Sequence, residues 1–231
     1  MTAKGVSLTD VYVVVAAYNE GAVIADVLRE LSDVVPNVVV VDDGSTDDTY
    51  RTACRLARWT LRHPVNRGQG AALQTGIAFA LRQGAAVVVT FDADGQHRPE
   101  DVPRLVQSLE RERCDVALGS RFLGTTDGLP ASRRLALRAA VLFSRAASGL
   151  QLSDAHNGLR AFTRRAAERI DLRLDRMAHA SELLDQIARS GLPYCEVPVH
   201  VRYTEYSTAK GQRLGAAPRI LFHYLLGRAL G

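Results

Sequence analysis

The sequence has no apolar run approaching the ~18 residues that a membrane-crossing helix requires, so no transmembrane segment is expected. Met1 to Asp10 lacks a basic stretch followed by an apolar run, and no secretory signal is expected either. Cysteine is scarce: Cys54, Cys114 and Cys195 are scattered and odd in number. None has the close spacing of a zinc knuckle or a redox pair, which points to reduced, mostly buried thiols in a cytoplasmic protein. Glycine and proline, 18 and 8 of 231 residues, are not in excess, and no repeat or low-complexity run interrupts the chain. Global disorder is not expected. No aromatic-rich basic stripe is present, so nucleic acid is not the expected partner.

What is present is ample apolar material, 47% of residues, for a core. The chain fits one domain, 1–231, with no linker. The net charge of +4 hides an asymmetry. Residues 1–131 hold 13 Lys and Arg against 17 Asp and Glu, or −4; residues 132–231 hold 16 against 8, or +8. A basic second part suits phosphate ligands, anionic lipid head groups or nucleic acid, and charge alone does not choose among them.

Val11 to Ala17 is a continuous apolar run, the pattern of a strand buried on both faces. Strands are expected again at Asn37 to Asp42, Ala86 to Phe91 and Asp115 to Gly119. Helices are expected at Gly21 to Asp33, Thr46 to Trp59, Gly68 to Gln83 and Pro99 to Arg113, with Gly84 as a C-cap. This alternation implies an α/β fold with a mostly parallel sheet covered on both faces. After about residue 124 the rhythm changes. Thr125 to Pro130 reads as a loop and Ser132 to Ser148 as a long helix. Gly158 to Thr163 and Tyr194 to Val201 read as strands, and His179 to Arg189 as a helix. A nucleotide-binding half, about 1–124, is therefore followed by an acceptor-binding half, about 125–231.

In open α/β sheets ligands collect at the carboxyl ends of strands. Those ends read Ala16-Ala17-Tyr18-Asn19-Glu20, Asp42-Asp43-Gly44-Ser45-Thr46-Asp47, Asp92-Ala93-Asp94-Gly95-Gln96-His97 and Gly119-Ser120-Arg121. The Asp42 to Asp47 cluster is read equally well as a turn and helix cap. Asp92 and Asp94 are different, because two carboxylates directly after an apolar strand repel each other unless a cation lies between them. Mg2+ and Mn2+ take oxygen ligands and bridge one or two carboxylates to substrate phosphates.

These motifs, with Asn66-Arg67-Gly68-Gln69-Gly70 between them, resemble the family 2 glycosyltransferases of the GT-A, Rossmann-like fold. Within that family the chain is most similar to the dolichyl- and polyprenyl-phosphate sugar synthases, through Gly119-Ser120-Arg121, Asp154-Ala155-His156-Asn157-Gly158-Leu159-Arg160 and Val197-Pro198-Val199-His200-Val201. The resemblance implies inverting transfer of a hexosyl group from a nucleotide-sugar donor, of the GDP-mannose or UDP-glucose type, to a lipid phosphate. It assigns Ala16, Tyr18 and Glu20 to the nucleoside pocket, and Val41 and Asp43 to base and ribose. It assigns Asp92, Ala93 and Asp94 to diphosphate and metal, with Gln96 as a third ligand. Asp94 and Arg121 are the implied catalytic residues, Arg121 facing the reacting phosphates. Lys210 lies on the implied closing loop. Some relatives have a diphosphate-binding arginine where this chain has Thr204; Arg202, two residues earlier, would point to the same face of an extended segment.

A sugar hydroxyl needs a carboxylate base, whereas a phosphate monoester attacks unaided. Many relatives with hydroxyl acceptors carry a Glu-Asp pair in the second half, where this chain has Ser181-Glu182-Leu183. Glu182 is read either as an acceptor-positioning group or as an exposed helix residue, and Asp154 either as facing the site or as a turn cap. Arg134, Arg138 and Arg145 fall within about 40° of one helix face. Leu135, Ala139, Leu142, Phe143 and Ala146 fall on another. The arginines are read either as a solvated face over a packed apolar one, or as a stripe for a lipid phosphate or head groups. The apolar segment Arg219 to Arg228 suits a core helix, a homodimer contact or the membrane interface. The expected enzyme is cytoplasmic and peripheral on the membrane, docking there on a separate membrane protein. The alternatives are a family 2 transferase with a hydroxyl acceptor and a non-catalytic nucleotide-sugar or membrane-surface module.

Overall fold

The computed structural model describes residues 6–173, 179–204 and 206–207. Seven strands form one sheet: β1 (Val11–Ala17), β2 (Asn37–Asp42), β3 (Trp59–Arg62), β4 (Val87–Asp92), β5 (Val116–Asp127), β6 (Arg160–Thr163) and β7 (Tyr194–Arg202). Their order is β3-β2-β1-β4-β6-β5-β7, and all neighbours are parallel except where β6 runs antiparallel between β4 and β5. The α/β fold expected from the alternation is thus the one observed.

The central strands read as unbroken valine runs because both of their faces are covered. On one face Val11, Val13 and Val15 pack with α1 (Ile24–Ser32) and α4 (Asp101–Arg111) through Leu28, Leu31 and Leu105. On the other, Val14, Val39 and Val88 pack with α3 (Gln69–Arg82) and α7 (His179–Ser190) through Leu73, Ile77 and Leu184. Gly76 permits the close approach of α3, since a Cβ there would overlap the Val14 side chain. The helix α2 (Thr49–Leu56) is shorter than the expected Thr46 to Trp59, and Trp59, read as its last residue, instead opens the edge strand β3 with Thr60 to Arg62, where no element is expected. The β-forming residues Trp59, Thr60 and Leu61 carried that signal.

β5 also runs further than expected, to Asp127, through the segment read as a loop. Its pairing with β7 shifts register between Ser120 and Thr125. Gly124 sits in this irregularity, where a Cβ would overlap the Val199 backbone. The cysteines are free, but only Cys114 is buried; Cys54 is exposed and Cys195 half-buried.

The long helix α5 (Ala131–Ser148) differs most from expectation. Its buried residues are Val141 and Ser144, three apart on one face. The apolar set read as a packed face stands outward instead: Leu135 is 72% exposed, Leu142 66% and Phe143 39%. Arg134, Arg138 and Arg145 are exposed beside them. Among the described residues no helix is long and apolar enough to cross a membrane.

Candidate active site

The strand order reverses at β1 and β4, so the loops that follow these two strands face one crevice. Register places Ala16 opposite Asp92. Asp92 accepts hydrogen bonds from Gln69 Nε2 at 2.9 Å and pairs with His97 Nε2 at 3.1 Å, and its side chain is 27% exposed. Burial pushes its carboxyl up, but His97, with Arg160 and His179, outweighs this and holds it below the usual carboxylate range. Asp94 behaves oppositely. Burial, then the neighbouring Asp92 charge, push it up to about 6. Its Oδ1 accepts the Gln96 N–H at 3.0 Å. The methyl of Ala93 is buried in the core.

This donor set fits a hard divalent cation. Two carboxylates share one crevice, one ionised and the other held back from ionising, and Gln96 stands beside them. Among the described residues no three His, Cys, Asp or Glu side chains converge on one point. Such a pair suits an ion that takes its remaining ligands from phosphate oxygens and water.

Asp92 keeps its position because residue 158 has no side chain. A Cβ on Gly158 would overlap the Asp92 carboxylate. The backbone there is ordinary, so the demand is steric. Gly158→Ala is expected to displace Asp92 and lower kcat/KM by ~100-fold or more, the scale of a misplacement of about 1 Å. Unchanged kinetics in the variant would show that Asp92 need not stand there.

The loops after β1 and β2 are cross-braced. Asn19 accepts the Thr46 N–H through Oδ1 and donates its own N–H to Ser45 Oγ. Glu20 is buried and accepts the Tyr206 hydroxyl at 2.8 Å. Tyr18 is 41% exposed at the crevice mouth, and Ala16 is half-buried. Val41 is fully buried against α3, so its side chain does not reach the crevice. Asp43 is committed to structure: Oδ1 takes the His63 ring at 2.7 Å and the Arg67 N–H at 3.0 Å, and Oδ2 takes the Gly68 N–H at 2.6 Å. It thereby holds the loop of the Asn-Arg-Gly motif, in which Gly68 adopts φ +96°.

Arg121 is buried at the end of the regular part of β5. Its Nε donates to Asp154 at 2.6 Å, Nη1 to the Tyr203 hydroxyl at 2.6 Å and Nη2 to the His156 carbonyl at 2.7 Å. Asp154 is therefore neither a simple turn cap nor a free acid; it is the ion-pair partner of Arg121. The surrounding backbone is held in turn by Glu196, which accepts the Ser153 and Asp154 N–H groups. Glu182 accepts the Arg173 N–H at 3.0 Å. Arg202 reaches Glu30 on α1 at 3.3 Å, and its backbone N–H donates to the Gln96 carbonyl. Thr204 exchanges hydrogen bonds with Ser207. Lys210 and the segment 219–228 lie outside the described residues.

Arg134 and Arg138 are not brought to Asp92; they line the outer face of α5, where Arg138 lies 5.9 Å from the Phe122 ring centre. Arg133 instead turns inward over the Tyr203 ring at 5.1 Å. Sequence reading passed over Arg133 and Tyr203, whose meeting depends on β7 returning beside β5. No local signal announces that contact.

An acidic pair at the switch point of a mostly parallel sheet, with one antiparallel strand inserted beside it, is the arrangement of the GT-A fold of glycosyltransferases. The chain belongs to glycosyl transferase family 2, whose sequence profile matches residues 12–171. It is 30% identical to the UDP-N-acetylglucosamine–dolichyl-phosphate N-acetylglucosaminyltransferase of Methanococcus voltae, over 94% of this chain and 95% of that one. It is 32% identical to the polyprenol monophosphomannose synthase of Mycolicibacterium smegmatis, over 86% and 79%. Among solved structures, glucosyl-3-phosphoglycerate synthase of Mycobacterium tuberculosis, in complex with Mn2+ and UDP-glucose, superposes with a TM-score of 0.72 at 26% identity, covering 94% and 78% of the two chains.

Proposed function

We propose that this glycosyltransferase moves a hexosyl group, with inversion, from a GDP- or UDP-linked sugar to a polyprenyl or dolichyl phosphate. The observation that carries the donor side is the Asp92–Asp94 pair, whose second carboxyl is pushed up to about 6 by burial and by its neighbour. Asp92 and Asp94, with Gln96 beside them, are the residues that would hold Mg2+ or Mn2+. When bound, that ion supplies charge for the leaving diphosphate. The relatives named for dolichyl-phosphate and polyprenol products support the acceptor.

The chain's own side chains divide the remaining work. Tyr18 and Glu20 border the nucleoside, and Asp43 braces the loop beneath it. Arg121, held by Asp154, positions the β5 end and Tyr203 at the acceptor side. A phosphate acceptor is anionic at neutral pH and requires no base. The commitment of Glu182 to the Arg173 backbone agrees with this.

The outer face of α5 supports peripheral membrane binding. Bare Leu135 and Leu142 flanked by arginines match a helix lying in the head-group layer. Arg134→Gln with Arg138→Gln is expected to weaken binding to vesicles containing anionic lipid by ~30-fold, at about 1 kcal/mol per basic residue. Leu135→Asp with Leu142→Asp should abolish it. Co-sedimentation measures both, and equal binding by wild type and variants would remove α5 from the interface.

Transfer itself is tested with radiolabelled nucleotide sugars and Mn2+. Polyprenyl phosphate and soluble hydroxyl acceptors are offered in parallel. Label is expected in the lipid phase. Label in the soluble acceptor alone would overturn the lipid-phosphate reading.

A further inference from the structure

Arg160 carries its charge to a position that is only 4% exposed. It opens β6, paired with Thr90 of β4 and Leu118 of β5. Side chains alternate along a strand, so Thr90 and Asp92 share one face of the sheet and Arg160 faces the same side. In strand order it stands on the side of β4 away from β1 and β2, which carry the donor-side loops. Asp92 and Asp154 are close enough to act on its charge. Neither is within ion-pair distance, and among the described residues its guanidinium donates no hydrogen bond.

This is not how the other anchored arginines of the fold are treated. Arg121 donates from Nε, Nη1 and Nη2. Arg164 donates to the carbonyls of Leu81 and Ala85. None of its nitrogens is among the fully enclosed side-chain atoms that lack a partner, so the guanidinium, bonded to no described protein group, keeps a face on the crevice and has its donors available to a ligand. The nearby imidazole of His156 is likewise without a hydrogen-bond partner among the described residues, and burial, with the Arg160 charge, lowers its pKa to about 4. Next to Asp92, an arginine fork with free donors and a neutral imidazole suit an anion with several oxygens.

We propose that Arg160 receives a phosphate oxyanion of a substrate, with the His156 imidazole beside it. This rests on the reading that the enzyme handles phosphate-bearing substrates. Two phosphates can reach the position: the donor's diphosphate, from the Asp92 side, or the acceptor's phosphate, from the β5 side.

The test uses the full chain, with Arg160→Gln and Arg160→Lys. Each folded variant is titrated by thermal shift with inorganic phosphate and with UDP plus Mn2+, and assayed for the KM of polyprenyl phosphate. Inorganic phosphate is expected to stabilise the wild type. Arg160→Gln should weaken that affinity at least tenfold, and Arg160→Lys, which keeps charge but loses the fork, severalfold. If the acceptor is the source, the polyprenyl-phosphate KM rises at least tenfold while nucleotide affinity stays within twofold. If the donor is the source, nucleotide affinity falls by that amount. Either pattern supports the site. Should Arg160→Gln not fold, Arg160→Lys alone is read in the same way. Phosphate, nucleotide and acceptor affinities all unchanged in a folded variant overturn it, as does a wild type indifferent to phosphate. A wild type that responds to phosphate through Arg160 but never glycosylates a lipid phosphate defeats the functional reading and leaves this site standing.

Discussion

Asp94→Asn is expected to reduce sugar transfer by ~1,000-fold or more, the scale of losing several kcal/mol of charge stabilisation on the leaving group. The same substitution should raise the melting temperature of the ligand-free enzyme at pH 7.5. The reason is that Asp94 is strained as an anion. Its pKa is pushed up to about 6 by burial and by Asp92, so the folded protein holds that proton more tightly than the unfolded chain does. A raised pKa favours the fold fully below about 4, the unfolded value. That advantage is lost as pH rises through 6. At neutral pH the ionised carboxylate therefore costs stability, by roughly 1–3 kcal/mol, and the uncharged amide removes the cost. The gain should shrink towards zero at pH 4. Thermal unfolding at the two pH values measures this difference. Cation binding at this pair should also weaken as pH falls through 6, because protons compete for the carboxylate. Wild type should gain stability from Mn2+ with UDP, and the variant should not. A variant that loses stability at pH 7.5 would mean that Asp94 is an ordinary structural carboxylate.

Asp154→Ala should be the most damaging single change to the fold at this site. Removing one partner of a buried ion pair leaves the other charge uncompensated, at a cost of about 3–5 kcal/mol. Asp154 and Arg121 are both buried and meet at 2.6 Å. The loss would leave Arg121 with only a phenol and a carbonyl as partners. A double variant, Arg121→Met with Asp154→Leu, should recover much of the stability in chemical denaturation, since it removes both charges together. It should not recover transfer, because the β5 end and Tyr203 lose their common anchor. Recovery of activity in the double variant would reduce the pair to a packing element.

The strands were legible because their periodicity is local. Val11 to Ala17 could not be a surface strand of alternating character, and the motif after each strand fell at its carboxyl end, as the fold requires. The turn at Gly84 was equally plain, since a positive φ after a helix favours a residue without Cβ. The edge strand β3 was missed because four residues at the end of a helical pattern carry too little signal. The acidic pair was recognised, but not the inequality within it, because burial and proximity set pKa values and neither is written in a spacing.

α5 shows the limit most clearly. Its periodicity correctly separated arginines from leucines, yet Leu135 and Leu142 face outward. A helical pattern states which residues share a side; only the neighbour against which the helix packs decides which side is inside. By itself, the sequence determined the alternation of buried strands and helices, the strand-end motifs and the family. Tertiary structure alone decided that Asp43 is a brace, that Arg121 is held by Asp154, that Gly158 makes room for Asp92 and that the Arg160 guanidinium makes no hydrogen bond to the described residues. Each of these is a contact between segments far apart in the chain, and the energy of such a contact depends on distance and burial, which sequence order does not contain.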